Sequence, residues 1–316
     1  MIEKIKRVLE HENKFLVTTH VDPDGDAIGS MFGMYFFLKA IGKTVRVYLK
    51  DSVPYRYAFL PGPEKIEKDL KNLGQEVILV LDCGDIKRIG DEYNLLTEDR
   101  FIVNIDHHET NGMFGKINHV LKDASSTAEI LYDIFMQFGA PITYEIALNI
   151  YTGIFTDTGS FRFPNTTEKC FRVCGEMLHF GVSPSYVAQM VYENHPRERF
   201  LLLSEVLRTL EVSEGGDVGI VLLTSEMFKK VNANYEHSDG FVEYIKEIKG
   251  IKVAILIREL ENGKCKVSMR SKDNVNVGRI CGKFGGGGHK NAAGCILEGK
   301  PEEVREKVKK VLSEEL

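Results

Sequence analysis

Short apolar runs alternate with longer amphipathic segments along residues 1–185 of the chain. The short runs are rich in valine, isoleucine and leucine and indicate buried strands, whereas apolar residues three and four positions apart indicate helices. Such alternation is typical of a mostly parallel sheet covered by helices on both faces. The predicted strands are Phe15 to Thr19, Thr44 to Leu49, Val77 to Leu81 and Phe101 to Ile105. The predicted helices are Ile2 to His11, Ala27 to Ala40, Ser126 to Phe138, Tyr144 to Phe155 and Glu168 to His179.

The pattern becomes polar and helical after this region, with Pro184 and Pro196 at plausible helix starts. We expect residues 186–211 to form a helical linker that joins the first domain to a smaller α/β domain over residues 212–316. The Asn262-Gly263 pair predicts a tight hairpin in the second domain. Its predicted strands are Val218 to Leu223, Val253 to Arg258 and Lys266 to Arg270, and its last helix begins at Pro301.

Composition narrows the class of protein. Of the 316 residues, 43% are hydrophobic and 28% are charged, and the net charge of −5 argues against binding long nucleic acid by neutralising phosphates. A short anionic substrate remains compatible with that charge. No apolar run approaches the ~18 residues of a membrane span, and the N-terminal segment has no signal-peptide core. The six cysteines show no Cys-x-x-Cys spacing, so we expect a cytoplasmic protein with no membrane partner.

Acids and histidines stand at the ends of several predicted strands and of one helix. Ligands bind at the carboxyl ends of strands in open α/β sheets. Several carboxylates with few basic partners repel one another unless cations lie among them. We therefore predict two divalent metal ions bridged by an acid such as Asp82. Mixed carboxylate and imidazole ligation suits Mn²⁺, with Co²⁺, Fe²⁺ or Zn²⁺ as substitutes in vitro. The candidate ligands are His20, Asp24, Asp26, Asp82, His107 and Asp157, and Asp106 and His108 flank His107.

A glycine run from Gly285 to Gly288 is the main feature of the second domain. Its backbone N–H groups could cradle a phosphate, although a tight turn is the other interpretation. Four carboxylates balance two divalent ions, so a phosphate dianion would need further cations, which Arg270, Lys272, Lys283 and His289 could supply. That requirement predicts a substrate cleft between the domains. The candidate substrate contacts are Arg270, Ser271, Gly286, Gly287, Gly288 and His289.

Together these residues resemble the DHH phosphoesterase superfamily, named after the triplet found here as Asp106-His107-His108. The resemblance covers nearly the whole chain, and its two-domain layout is similar to that of the NrnA-type subgroup. The first motif runs from His20 to Ser30, the second from Leu81 to Asp85 and the fourth from Thr156 to Phe161. The C-terminal region is similar to the DHH-associated domain through Arg270-Ser271-Lys272 and the segment from Phe284 to Gly294.

The resemblance implies a role for each candidate residue. His108 would be a catalytic residue that contacts the scissile phosphate without binding metal, with Asp106 as its neighbour. Asp82 would be both a ligand and a catalytic bridge between the ions. One ion would be held by His20, Asp24 and Asp82, and the other by Asp26, Asp82, His107 and Asp157. Arg270 and the glycine–histidine loop would contact the substrate.

The implied activity is a Mn²⁺-dependent phosphodiesterase that hydrolyses short oligoribonucleotides and linear dinucleotides such as pApA to nucleoside monophosphates, by in-line attack of a hydroxide bridging the two ions. The alternative is a 3′-phosphoadenosine 5′-phosphate phosphatase, and cyclic di-AMP is a further candidate substrate. The glycine–histidine loop disfavours an inorganic pyrophosphatase, and the acidic composition disfavours a long-strand exonuclease of the RecJ kind. A nucleotide-binding sensor with an inactive site is the alternative from a different class. Relatives often form homodimers.

Overall fold

The structure, a computed structural model, describes residues 1–70, 74, 76–97, 100–272 and 275–315. The chain divides into two compact units, Met1–Asn194 and His195–Leu316. Each unit has its own sheet and its own hydrophobic core. The division lies inside the linker predicted over residues 186–211, and the exact domain limits stay a prediction.

The first unit contains a five-stranded sheet in the order β2-β1-β3-β4-β5, and every pairing in it is parallel. The strands are β1 (Lys14–Thr18), β2 (Thr44–Tyr48), β3 (Val77–Leu81), β4 (Phe101–Asp106) and β5 (Ile117–Val120). This sheet confirms the predicted α/β class. All five residues of β3 are buried, because its alternate residues pack into two hydrophobic clusters, one on each face of the sheet, and a strand buried on both faces is a continuous apolar run. β5 escapes prediction because Asn118 and His119 interrupt its short apolar pattern.

The helices of the first unit follow the predicted periodicity closely. Capping side chains define their starts: the Ser126 Oγ accepts from the Glu129 backbone N–H at 3.1 Å, and the Thr143 hydroxyl accepts from Ile146. Ser126 and Glu129 have the spacing of a capping box, but only half of it forms, since the Glu129 carboxylate accepts instead from the Ser125 hydroxyl. The helices are α1 (Ile2–His11), α2 (Gly25–Ala40), α3 (Asn94–Thr97), α4 (Thr127–Phe138), α5 (Tyr144–Asp157), α6 (Glu168–His179) and α7 (Pro184–Tyr192).

The second unit contains a six-stranded mixed sheet in the order β10-β11-β9-β8-β7-β6. Only the β7–β8 pairing is parallel among the pairings described. The strands are β6 (Glu211–Val212), β7 (Val218–Leu223), β8 (Val253–Glu259), β9 (Lys264–Ser271), β10 (Gly287–His289) and β11 (Ala292–Glu298). The helices are α8 (Arg197–Leu207), α9 (Ser225–Lys230), α10 (Phe241–Glu247), α11 (Val277–Gly282) and α12 (Pro301–Glu315).

Two turns of this unit bear on the predictions. Asn262 and Gly263 have φ values of 63° and 69°, and they join antiparallel β8 and β9, which confirms the predicted hairpin. The glycine run leads into β10, so part of the segment interpreted as a loop is an edge strand paired with β11. Within the described part of the chain, no helix is long and apolar enough to cross a membrane.

Candidate metal centre

The segment that follows β1 brings one histidine and two aspartates to the sheet edge. His20 is buried, and its Nδ1 donates to the Val21 carbonyl oxygen at 2.8 Å, which leaves Nε2 as a ligand atom. Asp24 caps α2 by accepting from the Ala27 N–H at 3.0 Å, while Asp26 is buried in the first turn. The prediction of a helix start at Ala27 is therefore wrong by two residues. The helix starts at Gly25 because the Asp24 side chain satisfies one of its first N–H groups, that of Ala27.

Asp82 lies at the centre of the candidate ligands. It follows β3, is 1% exposed, and has a φ of 53°, a left-handed conformation that is uncommon outside glycine. Its two oxygens face different histidines: Oδ2 is 3.7 Å from His20 Nε2, and Oδ1 is 3.6 Å from His107 Nε2. This geometry suits a carboxylate that bridges two cations.

The candidate ligands form overlapping groups whose ligand atoms lie within 4.8 Å of one another. One group is His20, Asp24 and Asp82, and another is Asp26, His107 and Asp157. The structure thus brings together all six residues that the sequence singled out. A third group joins Asp82 and His107 to His108. These groups could hold metal ions.

Charge in this cluster is poorly balanced without a cation. Burial and the charges of Asp82 and Asp157 raise the pKa of Asp26 well above its usual range. Burial, together with Asp24 and Asp82, raises the pKa of Asp157 to about 7. Burial lowers the pKa of His20, but the hydrogen bond to Asp82 and the charge of Asp24 outweigh it and raise that pKa overall. Among the described residues, no lysine or arginine forms an ion pair with these aspartates. The donor set therefore fits hard or borderline divalent cations, whose charge would offset the repulsion.

The two histidines of the Asp106-His107-His108 triplet make different contacts. His107 Nδ1 lies 3.3 Å from the Ala124 carbonyl oxygen, which can only accept, so the proton sits on Nδ1 and Nε2 faces Asp82 and Asp157. His108 differs, because its Nδ1 lies 2.7 Å from Asp106 Oδ1. That nitrogen is engaged by a carboxylate, which argues against a ligand role through it.

Asp106 acts as the anchor of His108. It is fully buried, and its second oxygen accepts from Asn111 Nδ2 at 2.6 Å. Burial lowers the pKa of His108, but the hydrogen bond to Asp106 and the charge of Asp82 outweigh it and raise that pKa to about 9. Burial raises the pKa of Asp106, but the hydrogen bond to His108 lowers it below its usual range. His108 is therefore held as a cation at neutral pH, in a fixed orientation.

Sequence reasoning missed two asparagines that hold these ligands. Asn111 supports Asp106, and Asn165 donates to Asp157 Oδ2 at 3.4 Å. No sequence signal marks an asparagine as such a partner, because the contact depends on how separate loops meet.

The predicted substrate residues lie in the second unit. Arg270 Nε donates to Glu243 at 2.7 Å, and the Ser271 hydroxyl donates to the Val275 carbonyl oxygen at 2.7 Å. Ser271 is buried, so it supports the backbone near Arg270. The side chain of His289 lies outside the described part of the structure. The roles assigned to Arg270, Ser271, Gly286, Gly287, Gly288 and His289 stay predictions.

Comparison with known proteins agrees with the resemblance seen in the motifs. Residues 14–154 match the sequence model of the DHH family, N-terminal domain, and residues 219–316 match the DHHA1 domain. The chain is 37% identical to a Thermus thermophilus protein named bifunctional oligoribonuclease and PAP phosphatase NrnA, over 99% of this chain and 95% of that protein. The chain belongs to the DHH phosphoesterase family.

Two further proteins are similar to the chain over nearly its whole length, at lower identity. A Bacillus subtilis protein with the same name is 26% identical over 94% of this chain and 93% of its own. The crystal structure of an exopolyphosphatase-related protein from Bacteroides fragilis has a TM-score of 0.91 and 29% identity, covering 99% of this chain and 95% of that one. DHH phosphoesterases use divalent metals, and the acid and histidine groups around Asp82 are the candidate site for them here.

Proposed function

We propose that this protein is a phosphodiesterase of the cytoplasm that hydrolyses short oligoribonucleotides and linear dinucleotides such as pApA to nucleoside monophosphates. The observation that carries the proposal is the convergence of three histidines and three further carboxylates around Asp82, in a chain that is 37% identical to a protein named as an oligoribonuclease. The six cysteines are all buried free thiols, as suits a reducing compartment.

We propose two Mn²⁺ ions as the cofactor, because imidazole and carboxylate ligands together suit that ion. The residues present would hold them as two groups that share Asp82, with His20 and Asp24 on one side and Asp26, His107 and Asp157 on the other. When bound, such ions supply the positive charge that polarises a phosphoryl oxygen and activates water for in-line attack.

The protein's own groups do the positioning and the proton transfer. His108 is cationic at neutral pH, and Asp106 fixes its ring through Nδ1. We assign to its Nε2 a hydrogen bond to the scissile phosphate, which would stabilise the charge that builds on the phosphoryl oxygens. The same nitrogen can protonate the departing ribose oxygen.

The second unit offers a surface suited to binding nucleotide. β10 is an edge strand, so its outward N–H groups have no partner within the sheet. A Cβ at Gly286 would lie 2.2 Å from the Gly294 carbonyl oxygen, and one at Gly288 would lie 2.5 Å from that of Ala292, so packing demands glycine at both positions. A Cβ at Gly287 would meet no described atom within 4 Å. Open backbone at Gly287 supports the proposed phosphate contact there.

A hydrolysis panel tests the proposal. The metal-free protein would be supplied with Mn²⁺ and offered linear diadenylate, cyclic diadenylate, inorganic pyrophosphate and RNA of two to twenty nucleotides. We expect turnover of the linear dinucleotide, slower turnover of longer RNA, and complete loss of activity with a chelator. Binding of the dinucleotide without hydrolysis of any phosphodiester would support the sensor alternative instead.

A phosphatase acting on 3′-phosphoadenosine 5′-phosphate is the second candidate function. The names of the Thermus thermophilus and Bacillus subtilis relatives include PAP phosphatase beside oligoribonuclease. A terminal phosphate and a bridging phosphate need the same in-line geometry, so one site could serve both. Comparing kcat/KM for this compound and for linear diadenylate on the same preparation would rank the two activities. Sedimentation of that preparation would test the homodimer that we propose as its assembly.

A further inference from the structure

Five consecutive residues, Ala124 to Ala128, connect to four of the six candidate ligands; we call them the 124–128 segment. The segment reaches Asp26 through two backbone N–H groups, Asp82 through a hydroxyl, His107 through a carbonyl oxygen, and Asp157 through Asn165. The contacts are Ala124 O to His107 Nδ1 at 3.3 Å, Ser125 O to Asn165 Nδ2 at 2.8 Å, Thr127 Oγ1 to Asp82 Oδ1 at 3.1 Å, Thr127 N to Asp26 Oδ2 at 2.7 Å, and Ala128 N to Asp26 Oδ1 at 2.9 Å.

The segment is itself firmly held. Ser125, Ser126 and Thr127 are fully buried. The Ser126 side chain caps α4, and the Ser125 hydroxyl donates to the Glu129 carboxylate at 2.7 Å. The first N–H groups of a helix have no partner within the helix, and those of Thr127 and Ala128 point at a carboxylate instead. The segment can therefore act as a rigid template for the side chains that it contacts.

The two ligand groups differ in this support. Asp26, His107 and Asp157 are each tied to the 124–128 segment, and so is the Oδ1 of Asp82 that faces His107. The described side-chain contacts of His20 are instead to Val21, Arg88 and Asp82, while Asp24 contacts Ala27 and is exposed. The ligands of the group that contains Asp26, His107 and Asp157 are thus held in place before a cation binds. The other group contains a solvent-exposed carboxylate, that of Asp24.

We propose that the 124–128 segment makes the two metal subsites unequal, and that Thr127 is a positioning residue for the tighter one. The inference rests on the metal centre of the proposed function. The subsite of Asp26, Asp82, His107 and Asp157 fills first, because its ligands lose little freedom when the ion binds. The Thr127 hydroxyl contributes by fixing the rotation of the shared Asp82 carboxylate, so that each of its oxygens faces one subsite.

Titration of the metal-free, full-length protein with Mn²⁺ tests this, with free Mn²⁺ followed by electron paramagnetic resonance. We expect two ions to bind with clearly different affinities. Thr127→Val removes the hydroxyl at nearly constant volume and is expected to weaken the tighter ion by roughly 10- to 100-fold, as loss of an outer-sphere hydrogen bond does elsewhere. Thr127→Ser keeps the hydroxyl and is expected to restore tight binding.

Thr152→Val is the matched control. Thr152 is a fully buried threonine of α5, and its hydroxyl makes no hydrogen bond to a described residue. It should bind both ions as the unmodified protein does. A second variant, Asn165→Ala, removes the link between Ser125 and Asp157 and should also weaken the tighter ion, which keeps the test available if Thr127→Val does not fold.

The outcomes separate this inference from the proposed function. Two ions of equal affinity, or tight binding unchanged in both Thr127→Val and Asn165→Ala, would overturn the inference while leaving hydrolysis intact. An unmodified protein that binds no divalent ion would overturn the metal centre itself and the proposed function with it.

Discussion

Asp82 combines an unfavourable backbone conformation and burial with a position that suits metal binding. Its backbone is left-handed, its carboxylate is buried, and no described lysine or arginine pairs with it. Backbone strain of this kind costs of order 1–3 kcal/mol and persists where the surroundings over-determine it. Here the Asp82 N–H donates to the Ile105 carbonyl oxygen at 3.0 Å, and Thr127 holds one side-chain oxygen. This conformation directs the Asp82 carboxylate toward both ligand groups.

Asp82→Asn therefore tests the bridging role of Asp82 while keeping the shape of the side chain. Asparagine tolerates the left-handed backbone better than most residues, so the fold should survive. Loss of the bridging charge should remove several kcal/mol of transition-state stabilisation, which is about a thousandfold or more in kcat for linear diadenylate. Thermal unfolding of the metal-free variant checks the fold. Asp91→Asn, an exposed acid of the same unit, is the control, and full activity of Asp82→Asn with Mn²⁺ bound would contradict the bridging role.

His108 offers a second prediction at this scale. His108→Gln should lower kcat about 10²- to 10⁴-fold, the usual contribution of a positioned proton donor, without loss of Mn²⁺ binding. A donor works in its protonated form, so activity falls as the pH rises through the pKa of His108. Asp106 raises that pKa, and Asp106→Asn should move the alkaline limb of the pH–rate profile to lower pH. An unchanged alkaline limb in both variants, or loss of metal in His108→Gln, would refute the assignment.

Sequence alone located most of the candidate ligands because strand ends in a parallel sheet converge, and the acids could be counted there; Asp157 lies at a helix end, and the role of His108 came from the resemblance. The residues that hold the ligands could not be found this way. Thr127 and Asp26 are 101 positions apart, and their contact depends on where α4 begins relative to α2. Neither an isolated threonine nor an asparagine such as Asn165 carries a pattern that distinguishes it from a cap or a turn residue.

At the scale of elements, the packing of α2 on α5 places Asp26. A Cβ at Gly29 would lie 2.5 Å from the Asn149 carbonyl oxygen, and one at Gly153 would lie 2.9 Å from Asp26 Oδ1. The two helices can therefore approach closely only because these positions lack a side chain. α2 also carries Asp26 in its first turn, so the spacing between the helices sets the position of a candidate ligand.

Gly29→Ala is expected to force the helices apart and to destabilise the metal-free protein by about 1–3 kcal/mol, the usual cost of overpacking. It should also weaken Mn²⁺ binding, because Asp26 lies one helical turn away. Urea unfolding measures the first effect, and metal titration the second. Gly175→Ala in α6 is the matched control, since its Cβ would meet no described atom within 4 Å; it should stabilise by about 0.4–1 kcal/mol. Equal stabilities for the two variants would count against this packing role.

Elements with strong periodicity were predictable, and those that depend on pairing were not. α1 and α6 occur with the predicted bounds, because their apolar stripes and caps are local signals. β10 and β11 are rich in glycine and alanine, and their strand conformation comes from pairing with each other and with β9. Tertiary pairing overrides intrinsic preference in such segments.

At the scale of the whole molecule, an acidic protein is proposed to act on anionic substrates. The net charge of −5 gives no general attraction for phosphates, so positive charge has to be local. His108 supplies one such charge, and divalent ions would supply the rest. We therefore expect the protein to bind its substrates weakly until metal is bound. Metal binding in turn depends on the protonation of the carboxylates, because protons and metal ions compete for the same oxygens.

The competition between protons and metal ions determines how the metal affinity changes with pH. The pKa of Asp157 is raised to about 7, and those of Asp26 and His20 are raised as well, so protons compete with cations below neutral pH. Because the folded-state pKa of Asp157 exceeds its unfolded value, its ionisation destabilises the metal-free fold as the pH rises through 7. Divalent ions reverse that cost. Metal binding should thus release protons and grow tighter from pH 6 to pH 8.

Isothermal titration of Mn²⁺ into the metal-free protein, in two buffers of different ionisation enthalpy, counts the protons released. We expect more protons to leave at pH 6 than at pH 8, and a larger metal-induced rise in Tm at pH 8, because stabilisation follows the ratio of metal concentration to Kd. Asp157→Asn removes one of the titrating groups and should reduce proton release at pH 6, along with the affinity. Affinity that does not change with pH would mean that these carboxylates are already ionised in the metal-free protein, against the burial and repulsion that the fold imposes on them.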